Sequence, residues 1–205
     1  MAGMHEARQY EKQSNNAVTC SLCSHRCVIR DKKRGICGVR RNERGILDAT
    51  TYGQISAEAV DPIEKKPLFH YLPGTATYSL GSAGCNFRCR HCQNWQIARA
   101  DPDTALLRPL SPEEGVRRAV ESGCRSIAWT YNEPAIWHEY TLDMGRLARA
   151  EGLGTIYVTN GYITEVALRE LAPMLNTYRV DLKAFTESFY KKICGAHLQP
   201  VLDSA

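Results

Sequence analysis

Three cysteines stand close together in the segment Cys85-Asn-Phe-Arg-Cys89-Arg-His-Cys92, directly after an apolar stretch. This spacing lets three sulfur atoms turn into one small volume, and thiolate sulfur is the usual protein ligand of iron–sulfur clusters. Such a cluster takes four ligands, so three thiolates leave one iron open for a small molecule, as catalytic zinc sites keep one position open. The alternative interpretation is a group of three buried structural thiols.

A second group of thiols lies nearer the N-terminus, at Cys20, Cys23, Cys27 and Cys37. Four thiols that begin with a C-x2-C pair can close a tetrahedral site, and a closed four-ligand site is structural. Zinc and an auxiliary iron–sulfur cluster both agree with this spacing, and plain buried thiols are the third possibility. The remaining two cysteines, Cys124 and Cys194, are predicted to be ordinary core residues.

Composition limits the classes of protein to consider. The 26 Lys and Arg against 22 Asp and Glu give a net charge of +4, too small to favour nucleic acid, and the basic run at 30–34 lacks interleaved aromatic residues. No apolar run is long enough to predict a membrane span. The polar start of the chain contains no apolar signal-peptide core, so nine cysteines indicate metal chemistry in a cytoplasmic protein.

Strands and helices alternate along the second part of the chain. Strands are predicted at 77–80, 126–130, 155–159 and 178–182, and helices at 111–123, 134–151, 164–172 and 186–194. Four β–α units in series imply parallel strands with right-handed crossovers. The fold class is therefore α/β, and an open doubly wound sheet and a barrel-like sheet both satisfy this pattern.

Polar side chains follow the predicted strands at their carboxyl ends, where α/β proteins place their active sites. The cysteine run follows the first strand, and the later strands are followed by Asn132 and Glu133, by Asn160, and by Asp181 and Lys183. We expect these groups to line one site. An ion pair at the strand end, without a catalytic role, is the alternative for Asp181 and Lys183.

In combination, these motifs resemble the radical S-adenosylmethionine (SAM) enzymes, and more narrowly the branch related to pyruvate formate-lyase activating enzymes. The stretch Asp61-Pro-Ile-Glu-Lys-Lys-Pro-Leu-Phe-His70-Tyr-Leu-Pro-Gly74, the run Gly84-Cys-Asn-Phe and the run Cys92-Gln-Asn-Trp95 are similar to the radical SAM member of the AmmeMemoRadiSam system. The resemblance extends from about Cys20 to the end of the chain.

The resemblance implies a partial (β/α) barrel of radical SAM type with about four β–α units at 75–205. From the residues themselves we expect a small Cys-rich extension at 17–74 before this core, and a flexible tail at 1–16. Because enzymes of this type usually build six units, we expect an incomplete core whose fourth strand forms an exposed sheet edge. An exposed edge predicts a chain that aggregates or self-associates.

For the site, the resemblance implies a four-iron, four-sulfur cluster on Cys85, Cys89 and Cys92, with SAM on the open iron. The cofactor-binding residues that it implies are Asn132, Glu133, Thr159, Asn160 and His91. Asp181 and Lys183 match an Asp-x-Lys motif of glycyl-radical activating enzymes and would be catalytic. His91 departs from the family pattern, which usually has an aromatic or bulky apolar residue before the third cluster cysteine.

The implied activity is reductive cleavage of SAM to a 5′-deoxyadenosyl radical that abstracts hydrogen. A one-electron reductant of the flavodoxin or ferredoxin type would supply the electron. The implied partners are a protein or peptide substrate, or AMMECR-like and Memo-like proteins. A competing hypothesis is a metal-binding or electron-transfer module in which the short core abolishes SAM chemistry, and a zinc-containing nucleic-acid binder is a third.

Overall fold

A computed structural model describes residues 4–205 of the chain. Its strands are β1 (Tyr10–Lys12), β2 (Val18–Cys20), β3 (Val28–Ile29), β4 (Arg40–Glu43), β5 (Ile46–Ala49), β6 (Gln54–Ile55), β7 (Ala57–Pro62), β8 (Ala76–Gly81), β9 (Arg108–Pro109), β10 (Ser126–Trp129), β11 (Gly154–Thr159) and β12 (Thr177–Val180). Its α-helices are α1 (Trp95–Ala98), α2 (Pro112–Glu121), α3 (His138–Ala150), α4 (Glu165–Leu171), α5 (Glu187–Phe189) and α6 (Gln199–Ser204).

The central sheet has five strands in the order β12-β11-β10-β8-β7. The strands β8, β10, β11 and β12 are parallel, and β7 lies antiparallel to β8. All residues of β10 are buried, as expected of a strand that is covered on both faces. The four predicted parallel strands are therefore confirmed. Among the described strands the sheet stays open, with β12 at one edge and β7 at the other.

Two of the predicted helices show how local sequence sets their ends. The helix α2 begins as predicted, because Ser111 Oγ accepts a hydrogen bond from the Glu114 backbone N–H at 3.2 Å. The helix predicted at 134–151 is divided into a 3-10 turn, Pro134–Trp137, and the helix α3. The break occurs at Trp137, whose φ of −106° and ψ of 26° lie outside the α-helical range.

Residues 1–16 are predicted to be a flexible tail, but the structure shows that residues 4–16 pair and pack with the rest of the protein. Strand β1 pairs antiparallel with β2, and the Ala7 backbone N–H donates to the Leu47 carbonyl at 2.7 Å. Ala7 is buried, and the rings of His5 and Tyr52 stack with their centroids 3.5 Å apart. Backbone pairing and side-chain burial thus hold residues 4–16 against the rest of the protein, and residues 1–3 lie outside the described part.

Strands from the two sides of the predicted boundary between 17–74 and 75–205 pair with each other. Strand β7 belongs to the Cys-rich extension by sequence, yet it completes the central sheet beside β8. Strand β6 likewise pairs with β9. One hydrophobic core joins Val18 and Leu47 of the extension to Trp129 and Tyr157 of the parallel strands. The two segments therefore pack as one structure.

Within residues 4–205, no helix is both long and apolar enough to cross a membrane.

Candidate active site

A pocket of about 340 Å³ opens at the carboxyl ends of the parallel strands. Every residue that the sequence nominated for the first site lines it, namely Cys85, Cys89, Cys92, His91, Asn132, Glu133, Thr159, Asn160, Asp181 and Lys183. They come from the loops after β8, β10, β11 and β12. Parallel strands end at the same edge of a sheet, so residues far apart in sequence meet in one pocket.

Backbone contacts hold the loop of the three cysteines in place. The N–H of Arg88 donates to the carbonyl of Cys194 at 2.7 Å, and the N–H of Arg90 donates to the carbonyl of Ile193 at 3.0 Å. The loop begins at Gly84, whose φ is +86°, a value that favours glycine. A Cβ at Gly84 would lie 2.6 Å from the Cys37 carbonyl, so glycine also permits close contact with the N-terminal segment.

The three thiols offer a donor set that suits an iron–sulfur cluster. All three line the pocket, and the Phe87 backbone N–H donates to the Cys85 sulfur at 3.4 Å, a contact that a thiolate would strengthen. Burial raises the pKa of the Cys85 thiol, and burial together with Cys194 raises that of Cys89 to about 12. A bound metal displaces such thiol protons directly.

Across residues 4–205, no three His, Cys, Asp or Glu side chains are grouped closely enough to hold a metal ion. The fit of the pocket to a cluster is therefore one of donor chemistry: three sulfur donors face a cavity that also contains polar groups for a ligand.

Glu133 is a buried carboxylate at the wall of this pocket, with 2% of its surface exposed. Its Oε1 accepts hydrogen bonds from the Thr159 hydroxyl at 2.6 Å and the Ala135 N–H at 2.9 Å, and its Oε2 accepts from the Asn160 N–H at 2.7 Å. These donors are neutral. Burial raises the pKa of Glu133 although the hydrogen bonds oppose it, so a cationic ligand would stabilise the ionised form.

Asn160 connects the strand end to the cysteine loop. Its Nδ2 donates to Asn86 Oδ1 at 2.8 Å, and its Oδ1 accepts from the Tyr162 N–H at 2.9 Å. Asn86, which lies directly after Cys85, is fully buried and was missed by the sequence analysis. Its position inside the cysteine motif was the only available signal, and its amide partner is 74 residues away.

Asn132 supports the loop that leads to the cysteines. Its Nδ2 donates to the Gly84 carbonyl at 2.9 Å, and its Oδ1 accepts from the Ser82 N–H at 3.1 Å. Both the nitrogen and the oxygen of the Asn132 side chain are thus hydrogen-bonded to backbone groups. The expected contact between Asn132 and a cofactor remains a prediction, and the observed contacts position the loop after β8.

Asp181 and Lys183 form an ion pair just after strand β12, which is the alternative to a catalytic role for these two residues. Lys183 Nζ lies 2.9 Å from Asp181 Oδ2, and Arg179 contacts the other carboxylate oxygen. The Lys183 backbone N–H donates to the Tyr190 hydroxyl at 3.1 Å. Both members of the pair nevertheless line the pocket, so their charges are available to a ligand there.

His91 lies at the open side of the pocket. Its side chain is exposed, and its ring centroid is 5.8 Å from that of Phe189 in a tilted arrangement. The His91 ring could therefore cover part of a flat ligand group, and its predicted contact with the cofactor is still a prediction.

Tyr131 is a pocket residue that the sequence analysis did not identify. Its hydroxyl donates to Asp61 Oδ2 at 2.8 Å, and Lys66 Nζ lies 2.7 Å from the same oxygen and 4.8 Å from the centre of the Tyr131 ring. Tyr131 has a φ of +71°, which is unusual for a residue with a side chain. This left-handed residue turns the chain between β10 and Glu133.

The second group of cysteines, Cys20, Cys23, Cys27 and Cys37, also comes together in the structure. All four line one small cavity with Leu22, His25, Ile29, Gly35, Ile36, Arg40 and Ile136. Each of the four is a free thiol, and Cys20, Cys23 and Cys37 are buried. The cavity lies beside the loop of the first cysteine group, since His25 Nε2 is 2.7 Å from the Asn86 carbonyl oxygen and Cys23 packs in the same hydrophobic cluster as Cys89.

Sequence comparison adds a family relationship to this geometry. Residues 80–204 match the Radical SAM superfamily, a range that contains the first cysteine group and the predicted site residues after it. Two curated proteins of Methanocaldococcus jannaschii are also similar to the chain. The uncharacterized protein MJ0808 is 43% identical over 201 residues, which is 98% of this chain and 60% of that protein.

The uncharacterized protein MJ0674 is 22% identical over 197 residues, which is 93% of this chain and 52% of that protein. The chain therefore spans between half and two thirds of the length of these curated relatives.

Proposed function

The chain belongs to the Radical SAM superfamily, and on that premise we propose that its pocket binds a four-iron, four-sulfur cluster and SAM and cleaves SAM reductively. The products would be methionine and a 5′-deoxyadenosyl radical that abstracts hydrogen from a substrate. The observation that carries the proposal is the convergence of Cys85, Cys89, Cys92 and the buried Glu133 on one pocket.

In this proposal the thiolates of Cys85, Cys89 and Cys92 would hold the cluster, and the iron without a protein ligand would be available to the amino and carboxylate groups of SAM. When bound, the cluster supplies the electron that breaks a carbon–sulfur bond of the sulfonium. A one-electron reductant of the flavodoxin or ferredoxin type would deliver that electron. The sheet with its four parallel strands would be an arc of a (β/α) barrel, with the site at the carboxyl ends of those strands.

The contribution of Glu133 would be to accept a hydrogen bond from the amino group of SAM and so to orient it. The carboxylate is held rigidly by three neutral donors, and an oxyanion of this kind has about four acceptor positions. A position on Oε2 is thus free for a charge-assisted hydrogen bond to the ligand. Asn160 ties this carboxylate to the cysteine loop, so the amine anchor and the cluster loop keep a fixed relation.

Asp181 and Lys183 also line the pocket and would act on the substrate or on the carboxylate of the ligand. Their Asp-x-Lys spacing supports an activity like that of glycyl-radical activating enzymes, with a protein or peptide glycine as hydrogen donor. The similarity to the AmmeMemoRadiSam member supports AMMECR-like and Memo-like proteins as partners instead. Isolation of the native complex from cells, followed by mass spectrometry, would distinguish these partners.

The test is anaerobic reconstitution of the protein with iron and sulfide, followed by reduction in the presence of SAM. Release of methionine and 5′-deoxyadenosine in equal amounts is expected, and the Cys124→Ala variant, which changes a buried cysteine outside both cavities, should behave like the unchanged protein. If the cluster forms and neither product appears, the proposed chemistry is wrong for this chain. Cluster absorbance without SAM binding in calorimetry would support the electron-transfer module instead.

A further inference from the structure

We propose that Cys20, Cys23, Cys27 and Cys37 bind a second metal centre through four thiolates, separate from the pocket at the strand ends. The ligand would be a thiophilic metal centre, either a zinc ion or an iron–sulfur cluster, and both share the same sulfur coordination. This inference does not depend on the proposed SAM chemistry, because it concerns a different cavity and different residues.

The backbone presents these thiols from two turns. The Cys20 N–H donates to the Cys27 carbonyl at 2.9 Å, and the Arg26 N–H donates to the Cys23 carbonyl at 3.0 Å. A second turn, closed by a hydrogen bond of 3.0 Å from the Gly38 N–H to the Gly35 carbonyl, contains Cys37. The two turns thus bring all four thiols to the lining of one cavity, and four thiolates are the donor set of a closed structural site.

The cavity contains a buried donor that lacks an acceptor. Arg40 lines it with 1% of its surface exposed, and its terminal nitrogens bind Glu139 at 2.8 and 2.7 Å. Its Nε, however, has no hydrogen-bond partner in the described part of the chain. Leaving a buried N–H unpaired costs free energy, and a metal-bound thiolate is an acceptor that this cavity can supply.

The four thiols line the cavity without surrounding a single point at metal-ligand distance within residues 4–205. Metal binding must therefore close the two turns onto the centre. Because the Cys37 carbonyl touches the Gly84 position and His25 contacts the Asn86 carbonyl, such closure would also stiffen the loop of the first cysteine group. The second centre would then stabilise the first site without taking part in its chemistry.

The experiment uses the full chain with Cys85, Cys89 and Cys92 replaced by alanine, so that only the second site can hold metal. The protein is reconstituted anaerobically, once with zinc and once with ferrous iron and sulfide, and its metal content is measured by mass spectrometry. We expect stoichiometric metal, and at least a tenfold loss when Cys20 and Cys37 are also replaced by serine. The matched control is the added change Cys124→Ser, which should leave the metal content unchanged.

Both metal outcomes support the proposal and identify the centre. Zinc with four sulfur ligands at about 2.3 Å in X-ray absorption indicates a structural site. Iron and sulfide in equal amounts, with a paramagnetic signal on reduction, indicates an auxiliary cluster. If the folded variant retains less than a tenth of an equivalent of either metal, the proposal is wrong.

A measurement on the unchanged protein covers the case in which the serine variants fail to fold. Alkylation of the metal-loaded protein, read by peptide mass spectrometry, should leave all four second-site thiols unmodified. A chelator should raise their alkylation at least tenfold while circular dichroism reports a retained fold. Equal alkylation before and after metal removal, in a protein that stays folded, would contradict a metal-bound thiolate site.

Discussion

The carboxylate of Glu133 accepts the backbone N–H of Asn160 at 2.7 Å, which joins the ends of two neighbouring parallel strands through a buried charge. The same carboxylate also binds the Thr159 hydroxyl at 2.6 Å. Charged acceptors make stronger hydrogen bonds than neutral ones, and a buried carboxylate also favours a ligand group that donates to it or carries positive charge. Glu133 thus has a structural role and a proposed binding role, and the two can be measured separately.

We expect Glu133→Gln to weaken SAM binding at least tenfold while the cluster absorbance is retained. The amide cannot accept at both positions, so the free energy of unfolding should also fall by about 1–3 kcal/mol. Calorimetry with SAM and urea unfolding measure the two effects. Glu165→Gln is the control, because that side chain is 75% exposed on α4. Unchanged SAM affinity in Glu133→Gln would remove the amine-binding role.

Cys89→Ala should abolish the visible absorbance of the cluster at the first site. Removal of one of three thiolates leaves too few ligands to hold it. Metal at the second cysteine group should be retained, since Cys89 does not line that cavity. The Cys124→Ala protein is the comparison, and absorbance of full intensity in Cys89→Ala would show that the ligand assignment is incorrect.

Tyr131 should tolerate glycine better than alanine, because its φ is +71°. A left-handed backbone costs an L-residue about 1–2 kcal/mol, and glycine avoids this cost. Urea unfolding should therefore give a higher free energy of unfolding for Tyr131→Gly than for Tyr131→Ala.

Ser122 is the control position, because its φ is −78° and glycine has no such advantage there. At this position we expect the alanine variant to have a higher free energy of unfolding than the glycine variant. Equal stability of the two Tyr131 variants would mean that the backbone relaxes when the side chain is removed. Tyr131→Phe should lose only the hydrogen bond to Asp61, worth about 1 kcal/mol.

The buried ion pair of Arg40 and Glu139 should make the free energy of unfolding decrease at acidic pH. Burial opposes ionisation of Glu139, but the charge and hydrogen bonds of Arg40 outweigh it and lower the pKa from 4.5 to about 2. A lowered pKa in the folded state stabilises the protein above the unfolded value. That stabilisation should be lost as the pH falls from about 4.5 towards 2.

Chemical unfolding between pH 7 and pH 3 measures this dependence. Glu139→Gln should unfold more easily at neutral pH by about 3–5 kcal/mol, because Arg40 remains buried without its counter-charge. This variant should also lose less stability on acidification than the unchanged protein. A matching decline in both proteins would assign the acid sensitivity to other carboxylates.

The edge strand β12 should mediate self-association of the 205-residue chain. It lies at the end of the central sheet, and Leu182 just beyond it is 40% exposed. An unpaired edge can accept a strand from another chain, and a lysine nearby opposes such pairing. Sedimentation at rising concentration should show association that Leu182→Lys reduces. Leu106→Lys, at a side chain that is 97% exposed elsewhere, is the control. A monodisperse monomer would contradict the prediction.

Local signals allowed much of this protein to be predicted from its sequence. The spacing of Cys85, Cys89 and Cys92 identifies the ligand set, because three sulfurs within eight residues of one loop can reach a common volume whatever the fold. The four parallel strands and the Ser111 cap follow equally from short-range periodicity and capping. The rule that parallel strands end at one edge then placed Glu133 and Asp181 near the cysteines.

Only the tertiary structure decided which distant groups meet. Arg40 pairs with Glu139 across 99 residues, and Tyr131 reaches Asp61 across 70 residues. Neither pair has a spacing that a local pattern could reveal, because loop lengths and packing determine the separation of such groups. Strand β7 joined the core sheet, and residues 4–16 packed against the rest of the protein, for the same reason. Backbone edges and apolar faces find partners that the chain brings near only after it has folded.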